Sequence, residues 1–173
     1  GQGVYTTTAG ERYDGEWRRG EKSGIGHYKF LADTAGGDED QFNVYRGEWR
    51  HGMRDGRGHM ELADGSTYDG QFKGGKREGW GTQRAALKRG QHQRALYRGE
   101  FFNGMKQGRG TRRFTVGSTQ LSLHHRDHPV GVGVRLSADR QQAVRVINGS
   151  PDAAITLEEA RELAAALGMS IAT

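Results

Sequence analysis

Tyr45-Arg-Gly47-Glu-Trp49-Arg-His-Gly52-Met-Arg-Asp-Gly56-Arg-Gly58 is followed, twenty-three residues on, by Tyr68-Asp-Gly70-Gln-Phe72-Lys-Gly-Gly75-Lys-Arg-Glu-Gly79-Trp-Gly81. Both stretches spell one pattern, Y-x-G-x-[W/F]-x-x-G-x-x-x-G-x-G. A fixed period of about twenty to fifty residues marks an array of small stacked units. With the frame set, two more copies stand out. One runs from Tyr13 through Gly15, Trp17 and Gly24 to Gly26, the other from Tyr97 through Gly99, Phe101 and Gly108 to Gly110.

In an extended chain, residues at i, i+2 and i+4 share a face, so each tyrosine, glycine and second aromatic point the same way. Glu16, Glu48 and Glu100, with Asp14, Arg46 and Arg98, point the other way. The Gly-x-x-x-Gly segment supplies residues that accept φ > 0 and reads as the hairpin turn. Gly-x-Gly then opens the return strand, its bare glycines on the aromatic side, where a side chain would block close approach. The rings of one hairpin are expected to lie over the glycine backbone of a neighbour. A hairpin of this kind cannot bury its own apolar face and must stack on the next.

These copies resemble the membrane occupation and recognition nexus (MORN) repeat over residues 1–114. The resemblance implies a scaffold or spacer within a larger intracellular assembly, commonly cytoskeletal or membrane-associated. In some members of the family the repeats are attached to a catalytic domain. Composition agrees with a thin object: of 173 residues only 33% are hydrophobic and 29 are glycine, too little apolar material for a thick two-layer core. The expected fold is an all-β repeat, an elongated single-layer antiparallel sheet of stacked β-hairpins, closed by a C-terminal β-hairpin plus α-helix cap.

Residues 1–12 read as the end of a preceding partial repeat, because Gly1-Gln-Gly3-Val-Tyr5 has the form of a return strand and no initiator methionine precedes it. Residues 13–114 hold four repeats, with an acidic insertion at 31–41 and a basic one at 84–94. Both insertions fall at the same point of the repeat and are expected as loops along one edge. Residues 115–129 read as a degenerate strand and a polar linker. Residues 130–173 read as a cap, with a hairpin over 131–147 and a helix after it. Thr156-Leu-Glu-Glu159 fits a capping box, Leu157, Ala160, Leu163, Ala164 and Leu167 form an apolar stripe, and Gly168 suits a helix end.

No catalytic constellation emerges. The chain has no cysteine, which excludes disulfides and thiolate sites, and no apolar run of membrane-spanning length. Gly70-Gln-Phe-Lys-Gly-Gly75-Lys76 imitates a phosphate loop, but Arg77 stands where a magnesium-binding hydroxyl belongs, and other repeats show the same glycine spacing. His124, His125, Asp127 and His128 read as a solvated loop rather than a metal site. Asn148-Gly-Ser150 is first a turn signal. The chain is therefore read as a non-enzyme without cofactor or metal.

The aromatics Tyr13, Trp17, Tyr45, Trp49, Tyr68, Phe72, Tyr97 and Phe101 are expected to line a shallow groove that binds other protein subunits or a second copy of the chain. The repeat glycines Gly15, Gly24, Gly26, Gly47, Gly56, Gly58, Gly70, Gly79, Gly81, Gly99, Gly108 and Gly110 build its floor. The net charge of +5 supports an alternative, a peripheral adaptor holding anionic phospholipid headgroups through a basic stripe with Arg54, Arg57, Lys73, Lys76 and Arg77. Nucleic acid is not expected, because the rings are committed to packing between repeats rather than offered to bases.

Overall fold

Each repeat folds as a β-hairpin whose tight turn is the dipeptide that ends in the first glycine of the Gly-x-x-x-Gly segment: Arg19-Gly20, His51-Gly52, Gly74-Gly75 and Asn103-Gly104 all have positive φ at both residues. Two consecutive positive φ values make the turn that matches the twist of the flanking strands. The computed structural model describes residues 1–32, 41–87 and 95–171, in two compact units, Gly1–Ala86 and Leu87–Thr173. The first unit holds β1 (Gln2–Thr6), β2 (Arg12–Arg18), β3 (Glu21–Leu31), β4 (Phe42–Arg50), β5 (Met53–Glu61), β6 (Thr67–Lys73) and β7 (Lys76–Arg84). Each strand pairs antiparallel with the next in chain order, and among the described residues no other element accompanies this sheet. Most of both insertions, 33–40 and 88–94, lies outside the described residues.

The second glycine of each turn segment, expected as part of the turn, sits instead at a bulge in the return strand. Three residues, Ser23, Gly24 and Ile25, face the single residue Glu16, and Glu48 faces a matching trio. Gly24, Gly56, Gly79 and Gly108 all have positive φ there. The outward glutamate bends back to close the bulge: Ile25 N–H donates to Glu16 Oε1 at 2.9 Å and Arg57 N–H to Glu48 Oε1 at 2.8 Å. These carboxylates are structural rather than free surface charges.

On the other side the tyrosine covers the glycines of its own hairpin, not those of a neighbour. A Cβ on Gly26 would stand 2.4 Å from the Tyr13 hydroxyl, and one on Gly58 2.4 Å from the ring of Tyr45. The hydroxyls donate to the main-chain carbonyls of Glu16, Glu48 and Gln71 at 3.0 Å each. Bridging between repeats falls to the second aromatic. The indole of Trp49 reaches back to donate to the Gly26 carbonyl at 3.4 Å, and Trp17 donates likewise to Gly3 at 3.1 Å.

The second unit holds β8 (Leu96–Phe102), β9 (Met105–Arg113), β10 (Thr119–His125), β11 (His128–Leu136), β12 (Ala143–Ile147), β13 (Ser150–Ile155) and α1 (Leu157–Ala166). Residues 124–129, expected as a polar linker, are a strand end, a turn and a strand start. Arg126 and Asp127 take the two positive φ values, and Asp127 N–H donates to the Lys106 carbonyl as Gly52 N–H does to Lys22. Aspartate tolerates the left-handed region well enough to stand in for glycine. This is a fifth hairpin whose signature residues have been replaced: His124 pairs with Gly108 as Trp49 pairs with Gly24, which puts Gln120 in the tyrosine slot and Ser122 in the glycine slot. The Asn148-Gly149 turn leads into β13, a strand not anticipated. Thr156 and Glu159 form the expected capping box of α1, and Gly168 takes φ 67° beyond its end. The helix packs Ala160 and Ala164 onto Leu121, Val134, Leu136 and Ala143, on the side of the sheet opposite Tyr97 and His124.

Candidate interaction surfaces

The side bearing the aromatic rings is closed by its own residues. Trp49 stands edge-on to Tyr13 and Tyr45 with centroids 5.2 and 5.4 Å away, and Phe72 stands edge-on to Tyr45 and Tyr68 at 5.0 and 5.2 Å. Of the eight predicted groove residues, Trp17 alone is half-buried; the other seven are buried, Tyr13 and Tyr45 completely. The expectation of an open aromatic groove is corrected accordingly. Successive rings interlock edge to face, and each fills the space that a partner would have entered.

A row of cations completes this closure, and sequence reading missed it. Lys22, Arg54, Arg77 and Lys106 lie directly across the hairpin from Trp17, Trp49, Phe72 and Phe101. Lys22 Nζ sits 3.6 Å above the Tyr28 ring, and the Arg54 guanidinium lies 5.5 Å from Phe30 and 5.8 Å from both Tyr45 and Phe72. Arg77 and Lys106 cover Tyr68 and Tyr97. Desolvation by this packing lowers the Lys22 pKa. The signal available in advance was a basic residue two positions after each turn glycine, in all four copies.

The five residues assigned to anionic lipid therefore form no single stripe. Arg54 and Arg77 lie on the rings, exposed Arg57 projects from the opposite side, and exposed Lys73 and Lys76 flank a turn. At the turn edge of the first unit a basin of about 860 Å³ is lined by Arg18, Arg19, Lys22, Arg50 and His51 among others. Two of these side chains are already engaged, Arg50 with Asp55 at 2.8 Å and His51 with Glu21 at 3.2 Å.

The side away from the rings is different in kind. Ile25 and Trp80 are 61% and 55% exposed, and with Arg57 they occupy one slot, the middle of Gly-x-Gly, on β3, β5 and β7. A cleft of about 520 Å³ lies between Arg57 and Trp80. Beside it Asp69 receives His59 and Arg84, each at 2.6 Å. Among the described residues no group of three or more metal-ligating side chains gathers. His124 and His125, adjacent on one strand, point to opposite faces.

His124 is 5% exposed, stands 5.0 Å from Tyr97, and its Nδ1 has no hydrogen-bond partner. Burial, with Lys106 and Arg112 adding like charge, pushes its pKa down to about 4. A histidine held neutral in the fold contributes stability that is complete above its ordinary pKa near 6.5 and is lost as pH falls toward 4. Between pH 7 and pH 5 the second unit should lose roughly 2 kcal/mol from this group. His124→Phe restores the aromatic that other repeats carry in this slot and should flatten the dependence. Urea unfolding at the two pH values checks it; equal pH slopes for wild type and variant would refute the assignment.

A family model described as the MORN repeat matches residues 13–30, 45–67, 68–84 and 97–119, the four hairpins whose rings and glycines are set out above. The fifth hairpin, with Gln120, Ser122 and His124 in the signature slots, falls almost wholly outside the matched segments. No curated protein matches the chain.

Proposed function

The chain belongs to the MORN-repeat family, and on that premise we propose that it is a non-enzymatic scaffold subunit that holds other proteins on its sheet. MORN repeats are in general protein- or membrane-interaction modules, associated with membrane or cytoskeletal contexts. No helix among the described residues is long and apolar enough to cross a membrane. The observation that carries the proposal is the division of labour between the two sides of the first sheet. Its signature rings and glycines are consumed in self-packing, while large apolar side chains at Ile25 and Trp80 stay more than half exposed. Exposed apolar groups on a well-packed sheet mark a contact surface.

The second reading, a peripheral adaptor on anionic lipid, draws on the turn edge, where Arg18 and Arg19 line the basin and, among the described residues, have no carboxylate partner. Affinity capture from the native source with the full chain, run beside sedimentation with anionic vesicles over a salt series, separates the two. Protein partners retained at 0.3 M salt, where exposed charges are screened beyond about 6 Å, support the scaffold. Vesicle binding that falls steeply with salt, with no protein retained, replaces it by the membrane adaptor. Self-association without either would make a second copy the partner.

A further inference from the structure

We propose that Thr115, in the turn between β9 and β10, is the phosphoacceptor of an arginine-directed serine/threonine protein kinase. The site lies outside the scaffold reading and stands without it. Sequence, exposure and the construction of the turn each point to it.

Arg112-Arg113-Phe114-Thr115-Val116 places arginines three and two residues before a hydroxyl and an aliphatic side chain directly after it. Kinases that select basic substrates discriminate by charge. Their carboxylates pair with guanidiniums at those two positions, and an apolar pocket takes the side chain that follows the acceptor. Among all the serines and threonines of the chain, Thr115 alone has basic residues at both positions. No carboxylate occurs in the sequence between Glu100 and Asp127, so the segment itself carries no charge that would repel an acidic cleft.

The recognition elements face solvent. Arg112 and Arg113 end β9 in extended conformation, and both are exposed. Neither has a carboxylate partner among the described residues; the Arg112 guanidinium rests 4.8 Å from the centroid of the Phe114 ring. Val116, 77% exposed, is the most exposed of the large apolar side chains described. Thr115 is partly exposed, and its hydroxyl makes no hydrogen bond among the described residues.

The turn is also built to open more readily than its relatives. Phe114 N–H donates to the Ser118 carbonyl and Gly117 N–H to the Phe114 carbonyl, both at 2.9 Å. Turns with related main-chain bonds span 7–11, 62–66 and 137–142. A side chain braces each of those. Glu11 N–H donates to Thr7 Oγ1 at 3.1 Å, Ser66 N–H to Asp64 Oδ1 at 2.7 Å, and Gln141 N–H to Asp139 Oδ1 at 3.0 Å. In the 114–118 turn Val116 stands where Asp64 stands in its counterpart, and among the described residues no side chain takes up the bracing role. Extending the segment into a kinase cleft therefore breaks two main-chain hydrogen bonds and no brace, a local opening that leaves the paired strands in place.

In the transfer, Thr115 Oγ attacks the γ-phosphorus of magnesium-bound ATP while the bond from that phosphorus to the ADP oxygen breaks. The hydroxyl proton passes to the kinase's catalytic carboxylate, and phosphothreonine, ADP and a proton result. The phosphate brings a charge of about −1.5 to −2 beside Arg112 and Arg113. The two arginines that draw in the kinase thus become counter-ions of its product.

The full chain is incubated with magnesium-ATP and the catalytic subunit of cyclic-AMP-dependent protein kinase, an arginine-directed enzyme. A phosphoryl group should appear at Thr115, located by fragmentation mass spectrometry. Thr115→Ala should abolish this addition and Thr115→Ser retain it. Arg112→Ala and Arg113→Ala should each lower kcat/KM roughly tenfold or more, as loss of a charge-assisted pair does. A kinase that selects acidic substrates should leave Thr115 unmodified. The substituted side chains lie at the surface, so unaltered thermal unfolding verifies that the variants remain folded. Absence of phosphate from Thr115, arginine variants modified as fast as wild type, or modification of Thr115 by the acid-selecting kinase would overturn the proposal. A synthetic peptide of residues 109–119 is run beside the folded chain. Phosphorylation of the peptide without the chain would show that the turn stays closed to the enzyme, and would overturn it equally.

Discussion

Trp49→Ala should destabilise the first unit by about 3–5 kcal/mol, the range for removing a large buried aromatic. The indole is 6% exposed, touches Tyr13, Tyr28 and Tyr45 edge-on at 5.2, 5.8 and 5.4 Å, and donates to the Gly26 carbonyl of the preceding repeat. Its removal opens a hole at the junction between two hairpins, and among the described residues of the first unit no second layer is there to collapse into it. For a unit of this size each kcal/mol lowers the melting temperature by about 4–8 °C, so a fall of roughly 15–30 °C is expected by circular dichroism. Trp80→Ala deletes the same side chain from the other face, where it is 55% exposed, and should change stability by no more than about 0.5 kcal/mol. If the two variants melt together, the division of the sheet into a packed side and a contact side is wrong.

Gly58→Ala should cost roughly 3 kcal/mol, the upper end of what overpacking produces. The added Cβ would fall 2.4 Å from the Tyr45 ring, and the completely buried tyrosine cannot lift away without surrendering its hydrogen bond to the Glu48 carbonyl. Gly65→Ala provides the contrast. That glycine has φ 79° and open space around it, so only the left-handed strain of about 1–2 kcal/mol is expected. A double-mutant cycle with Tyr45→Ala sharpens the test, because the clash disappears with the ring. The double variant should be more stable than the sum of the two single losses predicts, by about 1–3 kcal/mol. Additive losses would mean that glycine is needed there for backbone reasons alone.

The fifth hairpin shows where reading by signature stops. Its turn, register and strand lengths follow the other four, yet Gln120, Ser122, His124 and Asp127 replace the tyrosine, glycine, aromatic and turn glycine. A pattern defined by residue identity misses a unit that keeps the backbone and changes the side chains. The cation row was hidden for a related reason. Lys22, Arg54, Arg77 and Lys106 look like surface charges in sequence, and only the register across the hairpin sets them over rings.

What the sequence determined by itself was whatever depends on spacing along the chain. A strand alternates with period two, so Tyr-x-Gly-x-Trp settles which residues share a side; paired positive-φ residues settle where the hairpin turns; Thr156 and Glu159 settle where the helix begins. Burial was decided only in three dimensions. Whether a ring is offered or enclosed depends on what is set above it: the next hairpin sets an edge against Tyr13, Tyr45 and Tyr97, and the return strand of the same hairpin sets a cation over each. The aromatic row legible in the sequence therefore became the interior, and the plain middle positions of Gly-x-Gly, Ile25, Arg57 and Trp80, became the surface.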